Sequence, residues 1–295
     1  MTKTAWVFPG QGSQEVGMGI DLIDIPQAKR KFAIAEEILG WSVIDLCQGD
    51  KKTLSRTLYN QPCLYVVEAI LADLLAEKEG LPQLVAGHSL GEYVALYTAR
   101  VFDFETGLNL VKKRAELMDE VGEGRMAALM KFDRAKLEQI IAATPDVVIA
   151  NDNSAGQVVI SGFPEAVETA VAKIKAKRAV TLEVSGAFHS PLMQPASEKF
   201  QSVLEAVNFA DARIPVLSNL EPTATTDGKE LKRRLAGQIT GSVRWWEIML
   251  QFSQEGVDRA VEIGPGKVLT GLIKRTCKEI ELVNVSSFTP EVLSV

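Results

Sequence analysis

Short, largely apolar stretches alternate along the chain with longer segments in which apolar residues recur at helical spacing. The stretches Thr4–Phe8, Leu84–Ala86 and Val257–Ile263 are typical of strands that are buried on both faces of a parallel sheet. The pattern predicts an α/β fold in which helices cover a parallel sheet. Besides a strand at Ile214–Leu217, the predicted elements are helices at Ile25–Leu39, Pro62–Glu77, Leu90–Ala99, Phe104–Val121, Pro191–Val207, Lys229–Gly237, Trp245–Gln254 and Val268–Cys277.

The middle of the chain has a different pattern. Its elements follow one another in the order βαββαβ, which is typical of a split-βαβ or ferredoxin-like arrangement. We therefore predict that residues 125–188 form a small ferredoxin-like subdomain. It is inserted in a large α/β-hydrolase-like domain that residues 1–124 and 189–295 form. The predicted strands are Met126–Phe132, Val147–Ala150, Gln157–Ser161 and Val180–Val184, the turn-rich segment 151–156 links the middle two, and the helices are Arg134–Ala143 and Pro164–Lys177.

Composition and charge exclude several classes of function. The 295 residues carry 32 basic and 38 acidic side chains, so no overall positive field attracts nucleic acid or anionic lipid. The apolar run before Pro9 is too short for a signal peptide, and no run reaches the length of a membrane span. Three widely spaced cysteines are typical of free thiols in a reducing cytosol. We therefore expect a cytoplasmic protein that binds neither nucleic acid nor membrane.

The segment Gly87-His-Ser-Leu-Gly91 matches G-x-S-x-G, in which a nucleophilic serine sits on a sharp turn between a strand and a helix. The free N–H groups at the start of such a helix point toward a developing oxyanion. A short pattern of this kind also arises by chance as a glycine-bounded turn. Because the predicted strand and helix flank Ser89 here, we favour a nucleophile.

A nucleophilic serine needs a base, and the chain has two histidines. His88 adjoins Ser89, so its side chain is expected to point away and to pack beneath the turn. His189 is then the candidate base, with a purely structural role as the equal alternative. No third member of a triad can be identified, since Asp211 and Asp227 follow His189, whereas α/β-hydrolases place the acid before the histidine. Two histidines without CxxC or HExxH also make a zinc site improbable.

Other motifs are weaker. The loop Gly10-Gln-Gly12 follows the first strand but fits neither a dinucleotide nor a Walker pattern. It is either a tight turn or a place where a backbone N–H approaches a substrate. Arg114 lies on the helix Phe104–Val121, where a solvated position is the ordinary explanation, although an inward arginine can hold a carboxylate. The predicted subdomain, with eight basic and seven acidic residues, is the less acidic part of the chain.

Taken together, these residues resemble the malonyl-CoA:acyl carrier protein transacylases of fatty-acid synthesis and the acyltransferase domains of polyketide synthases. The resemblance covers the chain from about Thr4 to Val283. It is specific because several motifs occur in one order. They are Phe8-Pro-Gly-Gln-Gly-Ser-Gln14, Gly87-His-Ser-Leu-Gly-Glu92, Arg114, Gly186-Ala-Phe-His189, Gln238 with Val243-Arg-Trp245, and Gly264-Pro-Gly-Lys-Val-Leu269.

The resemblance implies roles for individual residues. Ser89 corresponds to the nucleophile that accepts the acyl group and His189 to its general base, which matches the pairing inferred above. Gln11 and Leu90 correspond to the main-chain donors of the oxyanion hole. Arg114 corresponds to the residue that binds the malonyl carboxylate.

Two further residues are implied in the same way. Gln238 corresponds to a glutamine whose main-chain carbonyl orients the histidine, which would explain why no acid is found. Phe188 resembles the form of its motif that selects malonyl groups. The implied reaction is a ping-pong transfer of malonyl from malonyl-CoA to the phosphopantetheine thiol of acyl carrier protein, through a malonyl-serine. It needs no metal and no cofactor of its own.

The expected protein partner is an acidic acyl carrier protein. Its docking site is hypothesised near four basic residues of the predicted subdomain, Lys173, Lys175, Lys177 and Arg178. We expect a monomer that acts in fatty-acid synthesis, with a polyketide pathway as the alternative. The alternative hypotheses are a serine esterase or lipase, which uses the same elbow, and a carrier-protein-binding scaffold without activity.

Overall fold

The structure, a computed structural model, describes residues 2–184 and 186–288. Its strands are β1 Thr4–Phe8, β2 Leu84–Gly87, β3 Arg125–Met130, β4 Val147–Ser154, β5 Gln157–Gly162, β6 Arg178–Thr181, β7 Val216–Leu217, β8 Arg259–Ile263 and β9 Glu281–Val285. Its α-helices are α1 Pro26–Leu39, α2 Val43–Gln48, α3 Lys51–Leu54, α4 Thr57–Glu79, α5 Gly91–Thr98, α6 Phe104–Glu120, α7 Arg134–Ala142, α8 Pro164–Ile174, α9 Gln194–Glu205, α10 Gly228–Ala236, α11 Trp245–Gln254 and α12 Val268–Thr276. Short 3₁₀ helices lie at Ile20–Leu22 and Pro191–Met193.

The central sheet has five strands in the order β7-β2-β1-β8-β9, and every neighbouring pair is parallel. Along β1, Ala5 and Val7 point into one hydrophobic core, whereas Trp6 and Phe8 point into another. Side chains alternate across a strand, so an all-apolar strand needs cover on both faces. The predicted α/β class with a parallel sheet is confirmed.

A second, antiparallel sheet has the order β4-β5-β3-β6. Its strands and the helices α7 and α8 follow one another as βαββαβ, the predicted ferredoxin-like order. Leu129 and Ile160 from the sheet pack against Leu137 of α7 and Val167 of α8 in a separate small core. All these elements fall between residues 125 and 181. The proposed domain boundaries at 124/125 and 188/189 stay a prediction, and residues 1, 185 and 289–295 lie outside the described ranges.

The largest difference from the predicted elements is in β4. The strand continues to Ser154, through most of the segment predicted as a link. The segment between α10 and α11 keeps it extended, because Asp152 N–H donates to Val243 O and Val243 N–H donates to Ala150 O. The side chain of Asp152 is also paired with Arg134. Polar residues that favour turns locally are thus held in a strand by distant partners.

Other differences concern element ends. Helix α4 begins at Thr57, five residues before Pro62, although proline is most typical of the first helical turn. Helix α8 ends at Ile174, because Lys175 takes a left-handed conformation with φ of 54° and so stops the helix. Strand β9 and helices α2 and α3 are not among the predicted elements. In the described part of the chain, no helix is both long and apolar enough to cross a membrane.

Candidate active site

Ser89 sits on the sharp turn between β2 and α5. Its φ of 53° lies in the left-handed region, which is costly for a residue with a side chain. The turn also brings backbone segments so close that glycine is required on either side. A Cβ at Gly87 would lie 1.9 Å from the Gly91 carbonyl carbon, and one at Gly91 would lie 2.1 Å from Phe8 O. The predicted elbow is therefore present, and it holds the Ser89 hydroxyl at the end of β2.

His189 lies next to Ser89, although 100 residues separate them in the chain. The Ser89 Oγ to His189 Nε2 distance is 2.8 Å. On the other side of the ring, Nδ1 lies 2.9 Å from Gln238 O and 3.1 Å from Gly241 O. Carbonyl oxygens only accept hydrogen bonds, so Nδ1 carries the proton and Nε2 is left to accept the hydrogen of the serine hydroxyl. The two side chains form a nucleophile and base pair.

Carbonyl groups take the position that an acid holds in a triad. The two aspartates that follow His189 in the sequence act elsewhere. Asp211 accepts a hydrogen bond from Gly228 N, and Asp227 caps the first turn of α10 through Glu230 N. Backbone carbonyls thus orient His189, which explains why no acidic residue could be assigned to this role from the sequence.

Burial lowers the pKa of His189 to about 3, and the positive charge of Arg114 contributes to the shift. The imidazole is therefore neutral near pH 7, which is the state that accepts a proton.

His88, in contrast, points away from the serine. Its Nε2 lies 2.9 Å from Asn153 Oδ1, and its ring lies 5.6 Å from that of Trp245. The structure therefore brings only one imidazole to the serine hydroxyl.

Gln11 and Ser89 line the same cavity, and the loop before Gln11 approaches the elbow that carries Leu90. Gly10 makes this approach possible, because a Cβ there would lie 2.4 Å from His88 O. Within the described residues, neither the Gln11 N–H nor the Leu90 N–H donates to another group, and the Gln11 side chain is occupied with Thr57. Two free N–H groups close to a nucleophile are the components of an oxyanion hole.

Arg114 is 1% exposed, yet no carboxylate of the described residues is within ion-pair distance of its guanidinium. Its Nη1 donates to Gln61 Oε1 at 2.7 Å, and its Nη2 donates to Ser89 Oγ at 3.0 Å and to Gln238 Oε1 at 3.2 Å. Its Nε is buried without a partner, and the guanidinium lies 5.4 Å from the Tyr93 ring centroid. A buried cation without a carboxylate partner is costly, so a ligand carboxylate would satisfy it.

These groups open into a cavity of about 280 Å³ between the two sheets. Phe188, which is 6% exposed, forms part of the wall immediately before His189. Most of the remaining wall is apolar and comes from both parts of the chain. It includes Met118, Met126, Ala128, Val159, Leu182, Val184, Leu269 and Leu272.

The basic residues proposed for docking lie away from this cavity. Lys173 is in the last turn of α8, Lys175 and Lys177 follow that helix, and Arg178 begins the edge strand β6. All four are exposed, and none of them lines the cavity. The structure therefore separates them from the chemical groups.

Several residues of the site were not predicted. Gln61 has a detectable signal, because it is a polar residue that begins an apolar helical run. Glu92 is part of the quoted elbow motif but received no role. Asn219 and the carbonyl of Gly241 carry no signal in the sequence, since their function depends on where the fold places them.

Comparison with known proteins agrees with this geometry. The acyl transferase domain family matches residues 5–292. A malonyl CoA-acyl carrier protein transacylase of Synechocystis sp. is 58% identical over 96% of this chain and 97% of its own. A polyketide biosynthesis malonyl CoA-acyl carrier protein transacylase of Bacillus subtilis is 43% identical over 94% and 98%. The crystal structure of a Synechocystis malonyl-CoA:ACP transacylase superposes with a TM-score of 0.96 at 56% identity, covering 99% of both chains. The resemblance inferred from the sequence is confirmed, and the chain belongs to the acyl transferase family.

Proposed function

We propose that this protein transfers a malonyl group from malonyl-CoA to the phosphopantetheine thiol of an acyl carrier protein. The observation that carries the proposal is the buried guanidinium of Arg114, 3.0 Å from the hydroxyl of Ser89 and without a carboxylate partner in the described chain. An acyl group that ends in a carboxylate would supply that partner while its thioester carbon lies at the serine. The names of the relatives, which mention malonyl CoA and acyl carrier protein, support the same substrates.

In the first half-reaction, Ser89 Oγ attacks the thioester carbonyl carbon while its proton passes to His189 Nε2. The carbonyl oxygen becomes an oxyanion that accepts hydrogen bonds from the N–H groups of Gln11 and Leu90. Collapse of this intermediate breaks the C–S bond, and His189 returns the proton to the departing CoA sulfur. The product is a malonyl ester of Ser89 with free CoA thiol.

The second half-reaction reverses these roles. His189 takes the proton of the phosphopantetheine thiol, whose sulfur attacks the ester carbonyl carbon. Collapse of the resulting oxyanion breaks the bond between that carbon and Ser89 Oγ, and His189 returns the proton to Oγ, which leaves malonyl as a thioester on the carrier protein. The carbonyls of Gln238 and Gly241 keep Nδ1 protonated throughout and stabilise the imidazolium form. In this mechanism the chain itself supplies nucleophile, base and oxyanion donors, so we propose that no metal or redox cofactor takes part.

Selectivity for malonyl is assigned to two residues of the cavity. Arg114 favours acyl groups that carry a free carboxylate, because an acetyl group would leave it unpaired. Phe188 narrows the cavity immediately beside His189, and we propose that it disfavours branched acyl groups. A serine esterase is the second candidate function, and it would use the same serine and histidine with water as acceptor.

We further propose that the protein acts in fatty-acid synthesis, as a cytoplasmic monomer. The relative with 58% identity has no polyketide designation, whereas the polyketide relative is 43% identical. All three cysteines are unpaired and buried, which fits a reducing compartment. Transfer to carrier proteins of the two pathways, measured under the same conditions, decides between them.

Mass spectrometry of the intact protein tests the proposed transfer. The protein is mixed with malonyl-CoA without an acceptor and quenched in acid, its intact mass is measured, and a digest of the same sample then locates any adduct. We expect a malonyl-sized adduct on the peptide that contains Ser89, discharged when holo acyl carrier protein is added. Release of free malonate without transfer would favour the esterase. A folded sample that forms neither adduct nor product would favour the inactive scaffold.

The docking hypothesis is tested by charge reversal at Lys175 and Arg178, both exposed. The Lys175→Glu, Arg178→Glu variant is expected to raise the KM for carrier protein several-fold, because each lost attraction weakens encounter with an acidic partner. The KM for malonyl-CoA should stay unchanged, since neither residue lines the cavity. The matched control is the double reversal Lys274→Glu, Lys278→Glu, at two exposed positions on and just after α12. Equal changes in both KM values would contradict this docking site.

A further inference from the structure

We propose that Glu92 is a positioning residue that sets both the serine elbow and the arginine that faces it. This inference rests on the proposed function, because it concerns how the malonyl site is held in shape. Glu92 lies on α5, one turn after Ser89, and is 1% exposed. It does not line the cavity, so it does not touch substrate. Its effect must pass through the two neighbours that it binds.

The carboxylate is the junction of two hydrogen-bonded branches. Glu92 Oε2 accepts a hydrogen bond from Gln238 Nε2 at 2.7 Å and from Asn219 N at 3.2 Å. Both partners are fully buried. An acceptor is therefore required at this point, since without it two buried N–H groups would be left unsatisfied.

The first branch holds the elbow. The side chain of Asn219 accepts from Ser89 N at 2.7 Å through Oδ1 and donates to Gly87 O at 2.6 Å through Nδ2. It thus connects the two backbone positions that flank the turn. This matters because Ser89 is in a left-handed conformation that needs support from its surroundings. Occupying the Ser89 N–H also leaves the next N–H, that of Leu90, as the one directed to the oxyanion.

The second branch orients the guanidinium. An amide has a donor end and an acceptor end, so the group that binds one end determines what the other end faces. Because Gln238 Nε2 donates to Glu92 and to Ser89 O at 2.9 Å, its Oε1 is turned toward Arg114. In the flipped orientation the amide hydrogens would face the guanidinium hydrogens, and Arg114 would lose this acceptor. The main-chain carbonyl of the same Gln238 holds His189, so one residue transmits the position of Glu92 to both groups.

The role of this carboxyl as an acceptor does not depend on its ionisation state. Burial raises the pKa of Glu92 to about 7, against the lowering effect of its hydrogen bonds and of Arg114. The other titratable group that acts on it is Tyr93 of its own helix. Both hydrogen bonds end on Oε2, so a proton on Oε1 leaves Oε2 as a carbonyl oxygen that still accepts them. Both branches should therefore persist when the carboxyl is protonated, and a neutral glutamine can take its place.

Two substitutions of nearly equal size test the proposal. Glu92→Gln keeps a carbonyl oxygen as acceptor, whereas Glu92→Leu removes it. We expect Glu92→Leu to lower kcat for malonyl transfer about 10²-fold, the cost of a small misplacement of reacting groups, and to lower the malonyl-to-acetyl ratio. Glu92→Gln should restore most of kcat and that ratio, because it keeps the acceptor without the charge. Glu68→Gln, at another fully buried carboxylate outside the site, is the matched control and should change neither quantity.

Two outcomes would overturn the proposal. They are wild-type kcat in folded Glu92→Leu, and equal losses in the Gln and Leu variants with an unchanged malonyl-to-acetyl ratio. If Glu92→Leu does not fold, Glu92→Asp replaces it, because it keeps the charge but withdraws the acceptor by one methylene. It should then be slower than Glu92→Gln, and the reverse order would contradict the proposal. Failure of the proposed function is distinguishable, since the wild-type protein would then transfer no malonyl group to acyl carrier protein.

Discussion

Replacement of His189 by alanine is expected to slow formation of the malonyl-enzyme about 10²–10⁴-fold, the usual contribution of a general base. The hydroxyl of Ser89 would keep its hydrogen bond from Arg114 but would lose the acceptor that lies 2.8 Å away in the native site. Rapid-quench mass spectrometry after mixing with malonyl-CoA measures the rate directly. Ser89→Ala, which lacks the nucleophile, defines the background and should show no adduct at all.

His88→Gln is the matched control, because it also removes an imidazole next to the serine. The glutamine can replace the hydrogen bond to Asn153, and the loss should be far smaller than for His189→Ala. Comparable losses in both variants would mean that the effect comes from disturbance of the elbow. An unchanged rate in His189→Ala would remove the histidine from the mechanism.

Much of this dyad can be predicted from sequence because the chain offers few alternatives. One serine lies on a strand-to-helix motif, and of two histidines only His189 is free to face it. The orienting group behind His189 could not be identified by the same reasoning. It consists of the carbonyls of Gln238 and Gly241, and every residue has a carbonyl. Only the resemblance to a known family pointed to Gln238, and nothing pointed to Gly241.

The same distinction applies to the fold. Strands β1 and β2 are predictable because, apart from Thr4 at the start of β1, they are apolar, which is the consequence of burial on both faces. Strand β9, at the edge of the central sheet, is only partly buried, so its pattern is less distinct. The end of β4 is fixed by hydrogen bonds with Val243, nearly a hundred residues away along the chain. Local sequence patterns predict strands that are buried along their whole length. They fail where a contact with a distant part of the chain determines where a strand ends.

Arg114→Ala is expected to lower kcat/KM for malonyl transfer about 10²-fold or more, with little loss for acetyl transfer. Leaving one partner of a buried ion pair uncompensated costs about 3–5 kcal/mol, and here that partner is the malonyl carboxylate. The kcat/KM for acetyl transfer should change little, because the native guanidinium already stays buried and without a carboxylate when acetyl occupies the cavity. The ratio of kcat/KM for malonyl-CoA to that for acetyl-CoA is the quantity to measure.

Arg114→Lys separates charge from geometry. Lysine keeps the positive charge but cannot donate to Gln61, Ser89 and Gln238 in the forked arrangement of the native side chain. Compared with Arg114→Ala, this variant should recover part of the malonyl-to-acetyl ratio but little of the kcat for malonyl transfer. A single ammonium attracts the carboxylate without fixing the thioester at the serine. If Arg114→Ala left the malonyl-to-acetyl ratio unchanged, the carboxylate would have to bind elsewhere in the cavity, and the buried guanidinium would serve only to hold the serine hydroxyl.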